Sequence, residues 1–223
     1  MSSYDHAIDT LETELLGVLE VFGGLTADEW QLPTKLQPVD ASLPPWTIFE
    51  LAGHFDISIG LTRMLMADPT QGQVGRDRVS FFIFPRLEVA PVVYDYAYTM
   101  VAGKTAADMP GVLTETFTKT VQEARERSPD LVGPGYYALM RLDEFVTSRV
   151  LEAVVHGLDL TDALGSGSIA TRDGIAITAD ILDDLLARRT VAGRPDDLAD
   201  DMAWIRAASG RGQHPDPRLP LIG

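Results

Sequence analysis

The stretch at residues 149–159 reads RVLEAVVHGLD and predicts a helix with a polar stripe in an otherwise apolar surface. Glu152 and His156 lie four residues apart, so on a helix they project from one face. Both side chains are good ligands for a divalent metal ion, and Arg149 and Asp159 fall in the same broad sector. The pair therefore predicts half of a metal site, although a solvent-facing polar stripe is the alternative, since such pairs are common on helices.

A second segment, WTIFELAGH at residues 46–54, predicts the start of another helix. Thr47 is placed to cap it, Glu50 follows three residues later as in a capping box, and Trp46 and Leu51 occupy the positions of a hydrophobic staple. This helix presents His54, which could complete a set of two histidines and one carboxylate with open coordination positions. A satisfied core histidine is the alternative for His54, because its neighbours are apolar.

The composition restricts the functions open to the chain. It has 223 residues, 45% of them hydrophobic, which suffices for one sizeable core. The formal net charge of −15 disfavours nucleic acid as a partner, and the absence of cysteine excludes disulfides and a thiol nucleophile of its own. No long apolar run and no basic leader are present, so we expect a cytoplasmic protein without membrane contact, either a monomer or a homodimer.

The remaining pattern predicts mainly helices. We favour a helix over a strand for the alternating residues near 92–100, and expect the apolar block 81–84 to be a loop plug or a short strand. Gly165 predicts a helix end, so we divide the chain into a metal-binding bundle at residues 1–165 and a helical extension packed on it at 166–223. The helices expected from apolar periodicity and capping lie at 4–22, 47–66, 107–127, 136–164, 173–189 and 195–209, before an extended Pro-rich tail.

Two segments together resemble a known family. PWTIFELAGH at 45–54 and RVLEAVVHGLDL at 149–160 resemble the signatures of the mycothiol-dependent maleylpyruvate isomerase family of the DinB-like superfamily. The tail WIRAASGR at 204–211 and LPL at 219–221 is also similar to actinobacterial members. The resemblance implies an all-α, DinB-like four-helix bundle, in which His54, Glu152 and His156 bind a divalent metal, usually zinc.

One feature departs from that family. The isomerases proper have a C-terminal α/β domain that contributes to substrate binding, whereas residues after 167 here predict short additional C-terminal helices. The resemblance implies mycothiol as a thiol cosubstrate and a small-molecule electrophile as its acceptor, by S-transfer or thiol-assisted isomerisation. The alternatives are a metal-dependent hydrolase or lyase that uses metal-bound water, and a noncatalytic DinB-like ligand-binding protein.

Several other residues have two interpretations each. Arg149 could hold a substrate carboxylate or pair with Glu152, and we favour the pair. Asp159 could orient a ligand histidine or brace the end of the helix. Trp46 is expected to act as the staple and not to contact a ligand. Tyr94, Tyr96, Tyr98 and Arg86 could line a pocket near the metal, but core packing is favoured for each of the three tyrosines. His6 and His214 are expected to be solvated.

Overall fold

The computed structural model describes residues 2–38 and 40–222, and this part of the chain is almost entirely helical. No helix among these residues has both the length and the apolar character needed to cross a bilayer. Short 3-10 turns occur at Glu29–Gln31, Ser80–Phe82 and Asp196–Leu198. The α-helices are α1 (Ser3–Gly24), α2 (Ile48–Ala67), α3 (Arg86–Val101), α4 (Met109–Arg125), α5 (Leu142–Leu164), α6 (Arg172–Arg189) and α7 (Asp201–Ala208).

Four of these helices form a bundle, and the all-α prediction is confirmed. Helices α1, α2, α4 and α5 each pack on two or more of the others and enclose one large apolar cluster. The predicted entry to α2 is also confirmed: Thr47 caps the helix, and Glu50 accepts a hydrogen bond from the Thr47 backbone N–H at 2.8 Å. That capping box sets where the helix begins, and therefore where His54 lies along it.

Helix α5 is apolar on two sides because it is buried on two sides. Val150 and Val154 face the interior of the bundle. Leu151 and Val155 face a second apolar cluster, which α5 shares with α6, α7 and the 3-10 turn at Ser80–Phe82. The narrow remaining stripe holds Glu152 and His156, so the polar groups lie between two cores.

The predicted helix at 136–164 is wrong over its first turn and a half. Strands β1 (Val132–Pro134) and β2 (Leu139–Arg141) pair there as an antiparallel hairpin, and α5 begins only at Leu142. The hairpin packs on α2 so closely that a Cβ on Gly133 would lie 2.1 Å from the carbonyl oxygen of Leu65. Apolar spacing could not reveal this turn, because a short strand entering a helix can continue the same apolar stripe.

Two further predictions differ in detail. Residues 80–82 form a 3-10 turn rather than a strand, with Phe82 buried against the second cluster. The last predicted helix is broken, because the 3-10 turn at Asp196–Leu198 precedes α7, which starts at Asp201 under an Asp200 cap. The chain after α7 runs back along the body, and Leu221 donates its N–H to the carbonyl of Ala208 at 2.7 Å.

Candidate metal centre

The three predicted ligands lie together where α2 crosses α5. His54 comes from the second turn of α2, and Glu152 and His156 come from successive turns of α5. The Oε2 atom of Glu152 lies 3.5 Å from Nε2 of His54 and 3.3 Å from Nε2 of His156. One ligand atom from each residue falls within 4.8 Å of the other two, so the group could hold a metal ion.

His54 is buried without a hydrogen-bond partner. The residue is only 8% exposed, and neither ring nitrogen makes a hydrogen bond with the described residues. Burial, helped by the nearby His156, lowers the pKa of His54, so the ring is neutral at neutral pH. A neutral imidazole with an orphaned nitrogen beside a carboxylate could serve as a metal ligand, since buried polar groups ordinarily have a partner.

Glu152 is held as a carboxylate although it is buried. Burial alone would raise its pKa, but the close approach of the His156 and His54 rings and the charge of Arg149 outweigh burial and hold the pKa well below its ordinary value. The carboxylate thus keeps its negative charge between two imidazole rings. Such a site favours a cation, which a divalent metal would supply.

His156 is oriented by a second carboxylate. Its Nδ1 donates to Oδ2 of Asp159 at 2.8 Å, which leaves Nε2 directed at Glu152. Burial favours the neutral ring, but Asp159 and Glu152 outweigh it and raise the pKa of His156. Arg211 in turn donates to both oxygens of Asp159, at 2.9 and 2.6 Å. Asp159 therefore orients His156, which is one of its two predicted roles. Through Arg211 it also anchors the chain after α7.

Arg149 is enclosed by protein rather than open to a ligand. It is 1% exposed, and its guanidinium carbon lies 4.5 and 4.6 Å from the ring centres of Phe81 and Phe145. It donates to the carbonyl of Ser58 at 3.1 Å and lies 3.9 Å from Oε1 of Glu152. The structure thus contains the intrahelical pair that we favoured, at the outer limit of an ion pair.

The distances from the Glu152 carboxylate to the two imidazoles fit a four-coordinate ion. Metal–ligand distances of about 2.0–2.1 Å at tetrahedral angles place neighbouring ligand atoms about 3.3 Å apart. The 3.3 and 3.5 Å separations between the carboxylate oxygen and the imidazole nitrogens match that value. They are also long for hydrogen bonds, so direct contact alone explains the cluster poorly. Two imidazoles and one carboxylate leave at least one coordination position for a ligand.

A cavity of about 360 Å³ lies against the triad. Its walls come from the loop before α2, the 3-10 turn at Ser80–Phe82, α3, the β-hairpin and the end of the chain. Trp46 stacks on His54 with ring centres 5.1 Å apart and on Tyr94 at 6.1 Å, so both aromatic residues form part of this wall. A substrate-sized pocket therefore reaches the candidate metal centre.

Sequence reasoning missed several of these residues. Trp46, for which only the staple role was expected, also lines the cavity, and core packing is wrong for Tyr94 and Tyr96, which line it too. Arg211 was assigned no role, because only the fold brings it to Asp159. His214 is not solvated but largely covered, with Nε2 3.2 Å from Asp197. An isolated aromatic residue gives no sequence signal that separates a pocket wall from a core position.

Comparison with protein-family models, with curated proteins and with solved structures finds no match in any of the three. No relative found in this way therefore indicates a function for the chain.

Proposed function

We propose that this protein is a metalloenzyme that uses mycothiol as its thiol cosubstrate and zinc as its metal. The reaction would be S-transfer to a small electrophile or thiol-assisted isomerisation. The observation that supports this best is the convergence of His54, Glu152 and His156 at the wall of a cavity, with His54 otherwise unpartnered. The mycothiol assignment rests on the resemblance of residues 45–54 and 149–160 to the maleylpyruvate isomerase family.

The chain itself has no cysteine, so any sulfur chemistry needs an external thiol. A divalent ion held by the three residues would act as a Lewis acid and favour the thiolate over the thiol near neutral pH. The protein's own residues supply the surroundings: Asp159 orients His156, Glu152 balances positive charge, and the aromatic wall excludes water. Exclusion of water strengthens every electrostatic contact in the site.

The chemistry balances in either outcome. The thiol releases its proton to solvent, and the sulfur lone pair forms a bond to the electrophilic carbon. In S-transfer, a leaving group departs with its bonding electrons. In isomerisation, the thiolate adds to a cis double bond conjugated with a carbonyl, and the π electrons move onto the carbonyl oxygen as an enolate. Rotation about the resulting single bond follows, and return of that electron pair expels the thiolate and restores the double bond in the trans form.

The first test is the metal content of untagged protein, followed by calorimetric titration with mycothiol of zinc-loaded and metal-stripped samples. We expect about one zinc per chain and mycothiol binding only to the loaded form. His156→Ala should remove stoichiometric zinc while leaving the helical circular dichroism unchanged. His6→Ala, a histidine outside the triad, is the matched control and should retain the metal.

Each other outcome contradicts a stated part of the proposal. Full metal occupancy in His156→Ala would exclude His156 as an essential ligand. Zinc without mycothiol binding would favour a hydrolase or lyase that needs no thiol. If neither zinc nor mycothiol binds after reconstitution, the noncatalytic ligand-binding alternative replaces the enzyme.

A further inference from the structure

The cavity beside the triad is lined mainly by apolar and aromatic side chains. Its volume of about 360 Å³ is at the small end of the range for sites that enclose a small molecule, about 300–1,000 Å³. Flat ring faces occur on several sides, because the loop before α2, the 3-10 turn and the residues after it, α3, and the hairpin each contribute aromatic residues. They are Trp46, Phe81, Phe82, Phe84, Tyr94, Tyr96, Tyr136 and Tyr137.

The cations in the deep part of the cavity are already paired. Arg149 is covered by Phe81 and Phe145 and donates to Ser58 and Ser148. Arg211 donates to both oxygens of Asp159 and to the Ser209 carbonyl. Neither guanidinium therefore has a pair of N–H donors free to bind a ligand carboxylate in bidentate fashion.

Arg86 is the remaining arginine of the lining. It is exposed at the start of α3, and no hydrogen bond or ion pair to it occurs among residues 2–38 and 40–222. It can therefore meet at most a single negative charge at the solvent-facing end of a ligand. In the metal-free protein a dianion would leave one of its carboxylates without a cation, and an unpaired carboxylate in an apolar cavity is costly.

We infer that this cavity binds a flat, apolar ligand, aromatic or similarly unsaturated, and that the metal-free cavity accepts no more than one negative charge and so rejects small dicarboxylates. The ring faces of Trp46 and Tyr94 provide stacking surface, and the apolar wall gains free energy by covering the ligand. The inference rests on the proposed function only in making this ligand the electrophile. Binding itself requires neither mycothiol nor turnover.

The test uses N-phenyl-1-naphthylamine, a neutral aromatic probe that fluoresces in apolar surroundings. Titration into zinc-loaded and metal-stripped protein should show one saturable site per chain in both forms. Maleate, a small dicarboxylate, should fail to displace the probe from the metal-stripped protein even in large excess. Displacement of the probe by maleate in that form would overturn the inference.

A pair of variants on α3 locates the site. Ala90 lines the cavity, so Ala90→Trp should fill it and weaken probe binding by about tenfold or more. Leu87, one turn earlier and 77% exposed, is not part of the lining, so Leu87→Trp should leave the affinity unchanged. Both variants should keep the helical circular dichroism of the parent. Equal affinity in Ala90→Trp and the parent would place the probe elsewhere and overturn the inference.

The two proposals can fail separately. Probe binding that responds to Ala90→Trp, together with no mycothiol binding, would refute the proposed thiol chemistry and support the ligand class. Mycothiol binding to the zinc form, with no saturable probe site, would support the thiol chemistry and overturn the ligand class.

Discussion

At the scale of single residues, the candidate centre depends on residues that are not themselves candidate metal ligands. His156 presents Nε2 to the site because Asp159 holds its Nδ1. Asp159 is itself held by Arg211, from a position 52 residues further along the chain. Partners of this kind set the tautomer and direction of a ligand imidazole, and their loss weakens metal binding.

We predict that Arg211→Gln lowers zinc affinity by about 10–100-fold, because Asp159 loses the fork that holds it against His156. Asp159→Asn should have a similar effect. The double variant should have little less zinc affinity than either single variant, since both substitutions act through the same hydrogen bonds to His156. The measurement is competition for zinc with a chromophoric chelator. The ¹⁵N shifts of the His156 ring in metal-free protein should also change.

Arg206 provides the matched control for Arg211. It makes an equally complete pair with Asp162, at 2.7 and 2.9 Å, between α7 and α5, but neither residue is bonded to His156. Arg206→Gln should therefore keep the zinc affinity of the parent. If both variants lost affinity equally, Arg211 would support the fold generally rather than position His156.

Arg149 should contribute to stability as well as to the charge balance of the site. We predict that Arg149→Met, which keeps most of the volume, lowers the free energy of unfolding by about 2–4 kcal/mol, because Glu152 loses a buried countercharge. Urea denaturation measures the change. Arg63→Met removes an exposed pair with Glu123 and should cost less than about 1 kcal/mol. Equal effects of the two substitutions would contradict the prediction.

At the scale of elements, the approach of α3 to α2 shapes the site. Gly53 precedes the ligand His54, and a Cβ there would lie 2.5 Å from the carbonyl oxygen of Ala97 and 2.8 Å from Cγ1 of Val101. The absence of a side chain therefore lets α3 lie directly against α2. This contact sets the position of the cavity wall formed by α3 relative to His54.

We predict that Gly53→Ala lowers the free energy of unfolding by about 1–3 kcal/mol, because overpacking of α3 outweighs the helix propensity of alanine. Gly60 lies on the same helix with its nearest neighbour, Cγ2 of Thr116, at 3.6 Å. Gly60→Ala should instead stabilise the protein by up to about 1 kcal/mol. Urea denaturation measures both, and a stabilised Gly53→Ala would show that α3 can move away without cost.

At the scale of the whole molecule, two apolar clusters share α5, and α6 is also joined to α1. Glu14 of α1 accepts hydrogen bonds from the backbone N–H of Thr171, at 2.8 Å, and from its hydroxyl, where Thr171 caps α6. Gly174 leaves room for that carboxylate, since a Cβ there would lie 2.1 Å from Oε1 of Glu14. A buried acidic group thus joins the bundle to the C-terminal helices.

This junction should make stability depend on pH. Burial raises the pKa of Glu14, although hydrogen bonds from Thr171 oppose the rise. The fold therefore favours the protonated carboxyl, whose contribution is complete below the pKa of the unfolded chain and is lost as pH rises through the folded pKa. Glu14→Gln, uncharged at every pH, should gain stability relative to the parent between about pH 4 and pH 7.

Urea denaturation of both proteins across that pH range measures the difference. Glu20→Gln, at an exposed position on the same helix, is the matched control and should change the free energy of unfolding by no more than about 0.5 kcal/mol. A constant difference between Glu14→Gln and the parent would contradict the prediction.

The sequence by itself determined the features that depend on local spacing. The capping box at Thr47, the helix stop at Gly165 and the shared face of Glu152 and His156 all follow from residues within two turns of one another. The all-α class follows from the apolar periodicity of the longer segments. Glu152 and His156 could be named from their shared face before any distance was known, whereas His54 joined them as a candidate from a separate helix and through the resemblance to the isomerase family.

Only the tertiary structure decided the features that depend on distant partners. Arg211 meets Asp159, Glu14 meets Thr171, and the hairpin packs on α2, because tertiary packing brings together segments that are far apart in the chain. Periodicity records which face of a helix is buried, but it does not record which side chain of another helix lies opposite. The sequence thus determined the candidate ligands, whereas packing determined the residues that orient them and the cavity beside them.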